Sequence, residues 1–141
     1  EDAVLNANYV LARLKDVMSL AYPGPCMHEV LFDDSFLKDT GVSTLDFAKA
    51  MIDEGFHPMT VYFPLIVSGA MLTEPTESES KESMDQFIET LRALAADAKA
   101  GDAARFTGAP YLAPLRRLDE TRAARSPRLR WTPEAPAEAA E

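Results

Sequence analysis

The chain has 141 residues, enough for one domain with a modest hydrophobic core. Apolar residues make up 47% and charged residues 26%, which is ordinary for a globular protein, and no apolar run approaches the ~18 residues of a membrane span. The single cysteine, Cys26, excludes an internal disulfide framework and is typical of a reducing, cytoplasmic setting. With one cysteine and two histidines, no metal cluster is expected.

The net charge of −9 is unevenly distributed along the chain. Residues 1–100 carry 17 acidic and 7 basic side chains, a net of −10, whereas seven arginines from Arg105 to Arg130 are opposed only by Asp119 and Glu120, a net of +5. A basic arm of this kind can bind nucleic acid, but the acidic body would repel phosphates and no aromatic stacking platform is interleaved. We therefore expect the arm, 105–130, to dock onto acidic protein surface through Arg116 and Arg117.

The first half of the chain has the pattern helix, strand, helix. Apolar residues at helical spacing predict a helix over residues 2–21, which the turn sequence "YPGP" ends. Residues 27–32 predict a short strand. Ser43 and Asp46 then form a capping-box pattern for a short helix, with Gly55 at the position of a left-handed C-terminal residue.

The second half predicts two strands and the longest helix. Residues 59–63 are rich in β-branched and aromatic side chains, and 69–73 form a plausible partner strand. Thr76 and Glu79 have the T-x-x-E pattern of a capping box, and an apolar stripe continues to about Lys99. The segment "LRRLDETRAA" predicts a further short helix.

This order of elements predicts an α/β fold, a small open sheet of three to four strands covered by helices. We expect one domain over residues 1–131 and a disordered tail over 132–141, which is rich in Pro, Ala and Glu. If 59–63 and 69–73 pair as a hairpin, residues near 60–63 lie opposite residues near 70–73. His57 would then lie at the same end of the sheet as the segment 74–76.

The stretches "GFHPMTVYFP" and "EPTE" hold most of the side chains that could form a site. His57 precedes a proline, which favours an extended backbone at the start of the strand, and Glu74 lies outside the predicted helix. The alternative is ordinary local structure, a turn histidine and acids at a helix N-terminus. The candidates for an active-site edge are His57, Thr60, Tyr62, Glu74, Thr76, His28 and Glu29.

Nucleophilic catalysis has little support in the sequence. Cys26 and His28 are two residues apart, so a strand would place them on one face, but a cysteine in a turn is more often a packing residue. Neither a G-x-S-x-G motif nor a Walker-type glycine loop is present.

Four segments together resemble a known family. "LNANYVLARL", "GPCMHE", "TLDFAKAMIDEGFHPMTVYFPLIVSGAMLTEPTESESKE" and "PLRRLDETRAAR" are similar, in this order, to the C-terminal part of the glycine cleavage system P protein, most of all to subunit 2 of its two-subunit bacterial form. The likeness covers roughly residues 5–131. Two positions depart from it, since Tyr111 stands where the family usually has histidine and Thr73 replaces an aliphatic residue.

The resemblance implies the small C-terminal domain of a fold type I, aspartate-aminotransferase-like enzyme that depends on pyridoxal phosphate. Such an enzyme decarboxylates glycine and passes the aminomethyl group to the lipoyl arm of the H protein. The implied partners of this chain are the large cofactor-binding domain, the companion subunit and the lipoylated H protein.

The residues themselves restrict that implication. Cofactor chemistry of this kind needs a Schiff-base lysine and a phosphate cradle. None of the five lysines, Lys15, Lys38, Lys49, Lys81 and Lys99, follows a strand, and no glycine-rich phosphate loop is present. We therefore expect a fragment that holds no catalytic or cofactor-binding residue and is inert alone. The alternative is an autonomous, non-catalytic binding or assembly module derived from the same family.

Overall fold

The computed structural model describes residues 1–132, so nearly all of the predicted tail 132–141 lies outside the described residues. The helices are α1 (Asp2–Leu14), α2 (Thr44–Asp53), α3 (Lys81–Lys99), α4 (Ala103–Thr107) and α5 (Glu120–Arg125). The strands are β1 (Ser19–Leu20), β2 (Val30–Asp33), β3 (Thr60–Val61) and β4 (Met71–Thr73), and a 3₁₀ turn spans Asp34–Leu37. Among the described residues, no helix is long and apolar enough to cross a membrane.

The four strands form one antiparallel sheet in the order β1-β2-β4-β3. The predicted α/β class with a small open sheet is therefore confirmed. The predicted hairpin is also confirmed, because Thr60 pairs with Leu72 and Val61 pairs with Met71.

One face of the sheet packs into the core. Val30 lies opposite Thr73 and Phe32 lies opposite Met71, and all four are buried. Because cross-strand partners point to the same face, these pairs define the core side of the sheet. Helix α3 packs against both α1 and α2, while α1 contacts β2 and α2 contacts β3, and side chains of all three helices join the core cluster.

Three aromatic rings bind α2 to its neighbours. Phe47 meets the Phe36 ring edge-on at 5.4 Å between centroids and stacks on Phe106 at 6.1 Å, with 8° between the ring planes. Both are favourable aromatic geometries. The contacts join α2 to the 3₁₀ turn on one side and to α4 on the other.

The predicted first helix was too long. Helix α1 ends at Leu14, because Ser19 and Leu20 leave the helical path to pair with β2 as an edge strand. Basic side chains of α3 stabilise the end of α1, since Arg92 donates to the carbonyl of Arg13 (2.7 Å) and Lys99 to that of Val17 (3.0 Å). Tertiary pairing has overridden a local helical pattern.

The predicted capping box at Thr76 and Glu79 was wrong. Helix α3 begins at Lys81, and its N-cap is Ser80, whose hydroxyl accepts from the backbone N–H of Ser83 at 3.1 Å. Thr76 has a φ of +57°, and its carbonyl accepts from the side chain of Asn6 at 2.8 Å. A left-handed residue held by another helix cannot serve as this N-cap.

The predicted start and end of α2 were correct. Ser43 accepts from the backbone N–H of Asp46, and the Asp46 carboxylate accepts from the Ser43 backbone (3.0 Å), a reciprocal capping box. Gly55 follows the helix with a φ of +86°, the left-handed conformation that glycine adopts without steric cost.

The first part of the basic arm docks onto the acidic body. Arg105 contacts Glu54 and Asp97, and Arg117 contacts Asp46 at 2.7 Å. Arg117 also donates to two carbonyls at the end of α4, while Arg116 donates to the Pro110 carbonyl at 2.8 Å.

One carboxylate of α2 clamps the backbone of the arm. Asp53 accepts from the backbone N–H groups of Tyr111 and Leu112 at 2.7–2.8 Å. Charge-assisted bonds of this kind are among the stronger hydrogen bonds in proteins. The arm therefore leaves the body from a fixed position.

Two buried threonines differ in their hydrogen bonding. The Thr44 hydroxyl donates to the Gly69 carbonyl at 2.9 Å. The Thr73 hydroxyl is also buried, and it has no partner among the described residues. A buried hydroxyl without a partner retains its desolvation cost, about 1–3 kcal/mol.

We expect Thr73→Val to raise the free energy of unfolding of the chain by about 1 kcal/mol, because it removes an unpartnered polar group with little change of shape. The matched change Thr44→Val should lower it by about 1–3 kcal/mol, since the Gly69 carbonyl loses its donor. Urea unfolding of both variants measures the difference. If both variants changed the free energy of unfolding by the same amount in the same direction, the different hydrogen bonding of the two hydroxyls would be contradicted.

Asp46 couples the arm to α2 in a pH-dependent way. Burial acts to raise the pKa of Asp46, but hydrogen bonds from Ser43 and Arg117 outweigh it and hold that pKa below its usual value. A carboxylate with a lowered folded pKa stabilises the fold above its unfolded pKa, about 3.9, and that stability is lost as pH falls through the folded pKa.

We expect Asp46→Asn to destabilise the chain by about 1 kcal/mol at pH 7, as for loss of a helix cap, and the difference from wild type to shrink only as pH falls below about 3.9 and through the lower folded pKa of Asp46. Urea unfolding between pH 3 and 7 measures this. Glu77→Gln is the control, an exposed acid whose change should leave the pH profile in place. A difference that stayed constant over that range would show that the carboxylate charge is unimportant.

Candidate functional site

A cleft of about 560 Å³ opens where β3 and β4 diverge. Thr60 and Leu72 form the last pair of the ladder, and the chain before Thr60 and after Thr73 becomes two walls. Helices α1 and α3 contribute most of the rest, and Glu29 comes from the chain before β2. The lining is Val10, Glu29, Gly55, Phe56, His57, Pro58, Met59, Thr60, Leu72, Thr73, Glu74, Pro75, Glu79, Ser83, Met84 and Phe87.

Four of the seven candidate side chains line this cleft. His57 and Thr60 lie on one wall, Glu74 lies on the other, and Glu29 comes from the chain before β2. The first three are exposed and Glu29 is half-buried. A cleft of this size with apolar walls and a few converging polar groups is typical of a ligand site.

Local structure positions His57 at the mouth of the cleft. The backbone N–H of Phe56 donates to the Met51 carbonyl at 3.1 Å, so the chain turns sharply after Gly55. Pro58 then restricts the backbone of His57 to extended conformations. The imidazole therefore stands at the start of the segment that leads into β3.

The charge of the lining has one sign. Glu29, Glu74 and Glu79 contribute carboxylates, and the lining includes neither lysine nor arginine. The walls between them are apolar, with Phe56 and Phe87 in edge-on contact at 5.7 Å between ring centroids. Such a cleft attracts a cationic or ammonium-bearing group on an apolar body and repels phosphate.

Three candidates lie outside the cleft. Tyr62 has a φ of +58°, and its hydroxyl accepts from the backbone N–H of Leu45 at 3.2 Å. Thr76 bonds to the Ser78 hydroxyl at 2.7 Å. His28 is about half exposed, 4.0 Å from the carboxylate of Glu29. The predicted edge thus divides into four residues that line the cleft and three that lie outside it.

Cys26 is positioned as a packing residue. Its backbone N–H and carbonyl are both bonded to the side chain of Asn8, at 3.0 and 2.7 Å. Burial raises the pKa of the Cys26 thiol, which reduces its thiolate fraction and hence its nucleophilicity. Within residues 1–132, no three His, Cys, Asp or Glu side chains come together as metal ligands.

Sequence reasoning missed the contribution of α3 to the cleft. Ser83 and Phe87 both line it, and Glu79 accepts from the Ser83 hydroxyl at 2.6 Å. The signal was the spacing of four residues between Ser83 and Phe87, which places them on one helix face. Assigning Glu79 to a helix cap concealed this relation.

Comparison with known proteins identifies the family. The sequence model of the family described as "Glycine dehydrogenase, C-terminal domain" matches residues 1–109. A probable glycine dehydrogenase (decarboxylating) subunit 2 of Caulobacter vibrioides is 75% identical over 97% of this chain and 26% of its own length. Proteins of the same description from Kosmotoga olearia and Desulforamulus reducens are each 48% identical, over 94% and 95% of this chain and 28% of their own lengths.

The chain thus spans about a quarter of the length of the curated relatives that it matches. The match covers α1 to α4, all four strands and every residue of the cleft lining. The chain belongs to the glycine dehydrogenase C-terminal domain family.

Proposed function

We propose that this chain serves as the C-terminal domain of a pyridoxal-phosphate-dependent glycine decarboxylase of the glycine cleavage system, and that its cleft forms one wall of a site completed by the rest of the enzyme. The observation that carries the proposal is the convergence of His57 and Glu74 in one cleft at the sheet edge. Family membership supplies the reaction class.

The cleft itself does not fit pyridoxal phosphate. No lysine side chain lines it to form a Schiff base, and three carboxylates would oppose the phosphate group. Lys81 is paired with Asp85 at 2.6 Å, and Lys99 is bonded to the Val17 carbonyl in the turn after α1. We therefore assign the cofactor to the remaining three quarters of the longer protein.

The cleft residues suit the handling of an amine. The carboxylates of Glu29 and Glu74 would attract an ammonium group and orient it at the mouth. The imidazole of His57 can hold or pass a proton there, and Thr60 adds a hydroxyl on the same wall. Glycine is the expected substrate of the complete enzyme, and the lipoyl arm of the H protein, which has an apolar body, suits the walls.

The alternative function is an autonomous binding module without catalysis. The same cleft would then bind a cationic ligand with no large domain present. The two functions differ in whether the cleft residues affect turnover of a complete enzyme or only ligand affinity of this chain.

In the complete enzyme, we expect His57→Asn, Glu74→Gln and Thr60→Ala each to lower glycine turnover at least about tenfold, ~1.4 kcal/mol of transition-state stabilisation, with the melting temperature nearly unchanged. Turnover is measured as exchange of labelled carbon dioxide into glycine. Matched controls outside the cleft are His28→Asn and Glu77→Gln, for which turnover should stay within about twofold. If turnover falls only in proportion to the fraction of folded protein, these residues have a structural role and are not part of a site.

The isolated chain should not bind pyridoxal phosphate specifically or release carbon dioxide from glycine, because its cleft holds neither a lysine nor a cation for phosphate. Absorbance spectra after dialysis test this expectation. A Schiff-base band that survives dialysis and disappears on changing one of the five lysines would refute it.

A further inference from the structure

The basic arm divides into two parts with different surroundings. Arg105 and Arg117 are bonded to carboxylates of the body, and Arg116 is bonded to the Pro110 carbonyl within the arm. The second part, residues 119–131, is here named the distal arm. It begins with Asp119, whose carboxylate accepts from the Arg122 backbone at 2.9 Å and caps α5.

The arginines of the distal arm have no acidic partner among the described residues. None of Arg122, Arg125, Arg128 and Arg130 lies within 4 Å of a described carboxylate, and Arg128 bonds to the Thr132 hydroxyl at 3.3 Å. Arg122 and Arg125 are three residues apart on α5, so they share one helix face. Helix α5 has no buried residue.

Large apolar side chains accompany these arginines. Leu129 is 90% exposed and Trp131 is 85% exposed. Leu118, at the junction with the distal arm, is also exposed. Arginine and tryptophan are the residue types most enriched at the energetic centres of protein interfaces.

The distal arm projects from a rigid base. The Asp53 clamp and the Arg117–Asp46 contact fix the chain just before residue 119. A segment held at its base loses less conformational freedom on binding than a loose tail. The distal arm therefore has the composition and the placement of a docking element.

We propose that the distal arm docks into a carboxylate-lined apolar groove on the companion polypeptide of the two-subunit enzyme. The relatives are named subunit 2, and the inference rests on the proposed function in taking this chain to be part of such an enzyme. Arg122 and Arg125 pair with the carboxylates, and Trp131 fills the apolar part. Nucleic acid is the less favoured partner, because residues 1–100 have a net charge of −10, from 7 basic and 17 acidic side chains, and repel phosphates.

The test uses the full-length protein that contains this chain, together with its companion subunit. Subunit affinity is measured by sedimentation velocity at low and moderate salt. Arg122→Glu with Arg125→Glu, and separately Trp131→Ala, should each weaken it at least about tenfold, and the charge reversal should flatten its salt dependence. These side chains are exposed in this chain, so the melting temperature of the unassembled full-length protein should not change. A fall in that temperature would place the distal arm against the rest of its own polypeptide and overturn the proposal.

The matched control reverses the same number of charges elsewhere. Lys15 and Lys38 are exposed and outside the distal arm, and Lys15→Glu with Lys38→Glu should leave subunit affinity within about twofold. Equal affinity for wild type, distal-arm variants and control would overturn the proposal. The proposal would also be overturned if the distal-arm variants kept normal subunit affinity but lost self-association. The same holds if they kept normal subunit affinity but lost binding to a DNA oligonucleotide or to anionic vesicles.

Turnover of the same preparations separates this inference from the proposed function. A wild-type complex that assembles through the distal arm but does not turn over glycine would refute the proposed function and leave the docking intact. If the complex turns over glycine normally and the distal-arm changes do not alter subunit affinity, the docking proposal alone is refuted.

Discussion

The pairing of β4 with two neighbours is the constraint on which the cleft depends. This three-residue strand pairs with β2 on one edge and with β3 on the other. Its buried side anchors the sheet to the helices through Met71, while its end delivers Glu74 to one wall of the cleft. Without the β3 pairing, His57 would have no fixed position relative to that wall.

The N-terminus of α2 is a second point of convergence. It receives the Arg117 guanidinium on Asp46, the Tyr62 hydroxyl at the backbone of Leu45, and the Gly69 carbonyl on Thr44. Two segments far apart in sequence therefore meet at one turn of α2. The loop between β3 and β4 and the base of the arm are tied to the same structural element.

Much of the fold could be read from the sequence, since its local signals agree with the tertiary structure. The Ser43 capping box, the left-handed Gly55 and the hairpin of β3 and β4 all follow from short-range patterns. The errors arose where contacts with a segment distant in sequence determine the local structure. Ser19 leaves a helical pattern to pair with Asp33, and Thr76 loses its capping role to a left-handed turn bonded by Asn6.

The cleft could be predicted only in part for a similar reason. Hairpin register was enough to place His57 and Glu74 at one edge, because strand pairing is a regular geometry. It gave no information on α3, whose Ser83 and Phe87 complete the walls, nor on the Thr73 hydroxyl, which has no partner within residues 1–132. Such features depend on how a helix packs against other elements, which local patterns in the sequence do not reveal.

The Asp53 clamp has a consequence for how this molecule meets other molecules. By fixing the base of the distal arm, it limits the region that the guanidinium groups of Arg122 and Arg125 can reach around the acidic body. A group tethered close to a fixed point has a higher effective concentration near that point than the same group on a long free tail. One aspartate on α2, which carries none of the positive charge itself, therefore determines where the arm can meet another molecule.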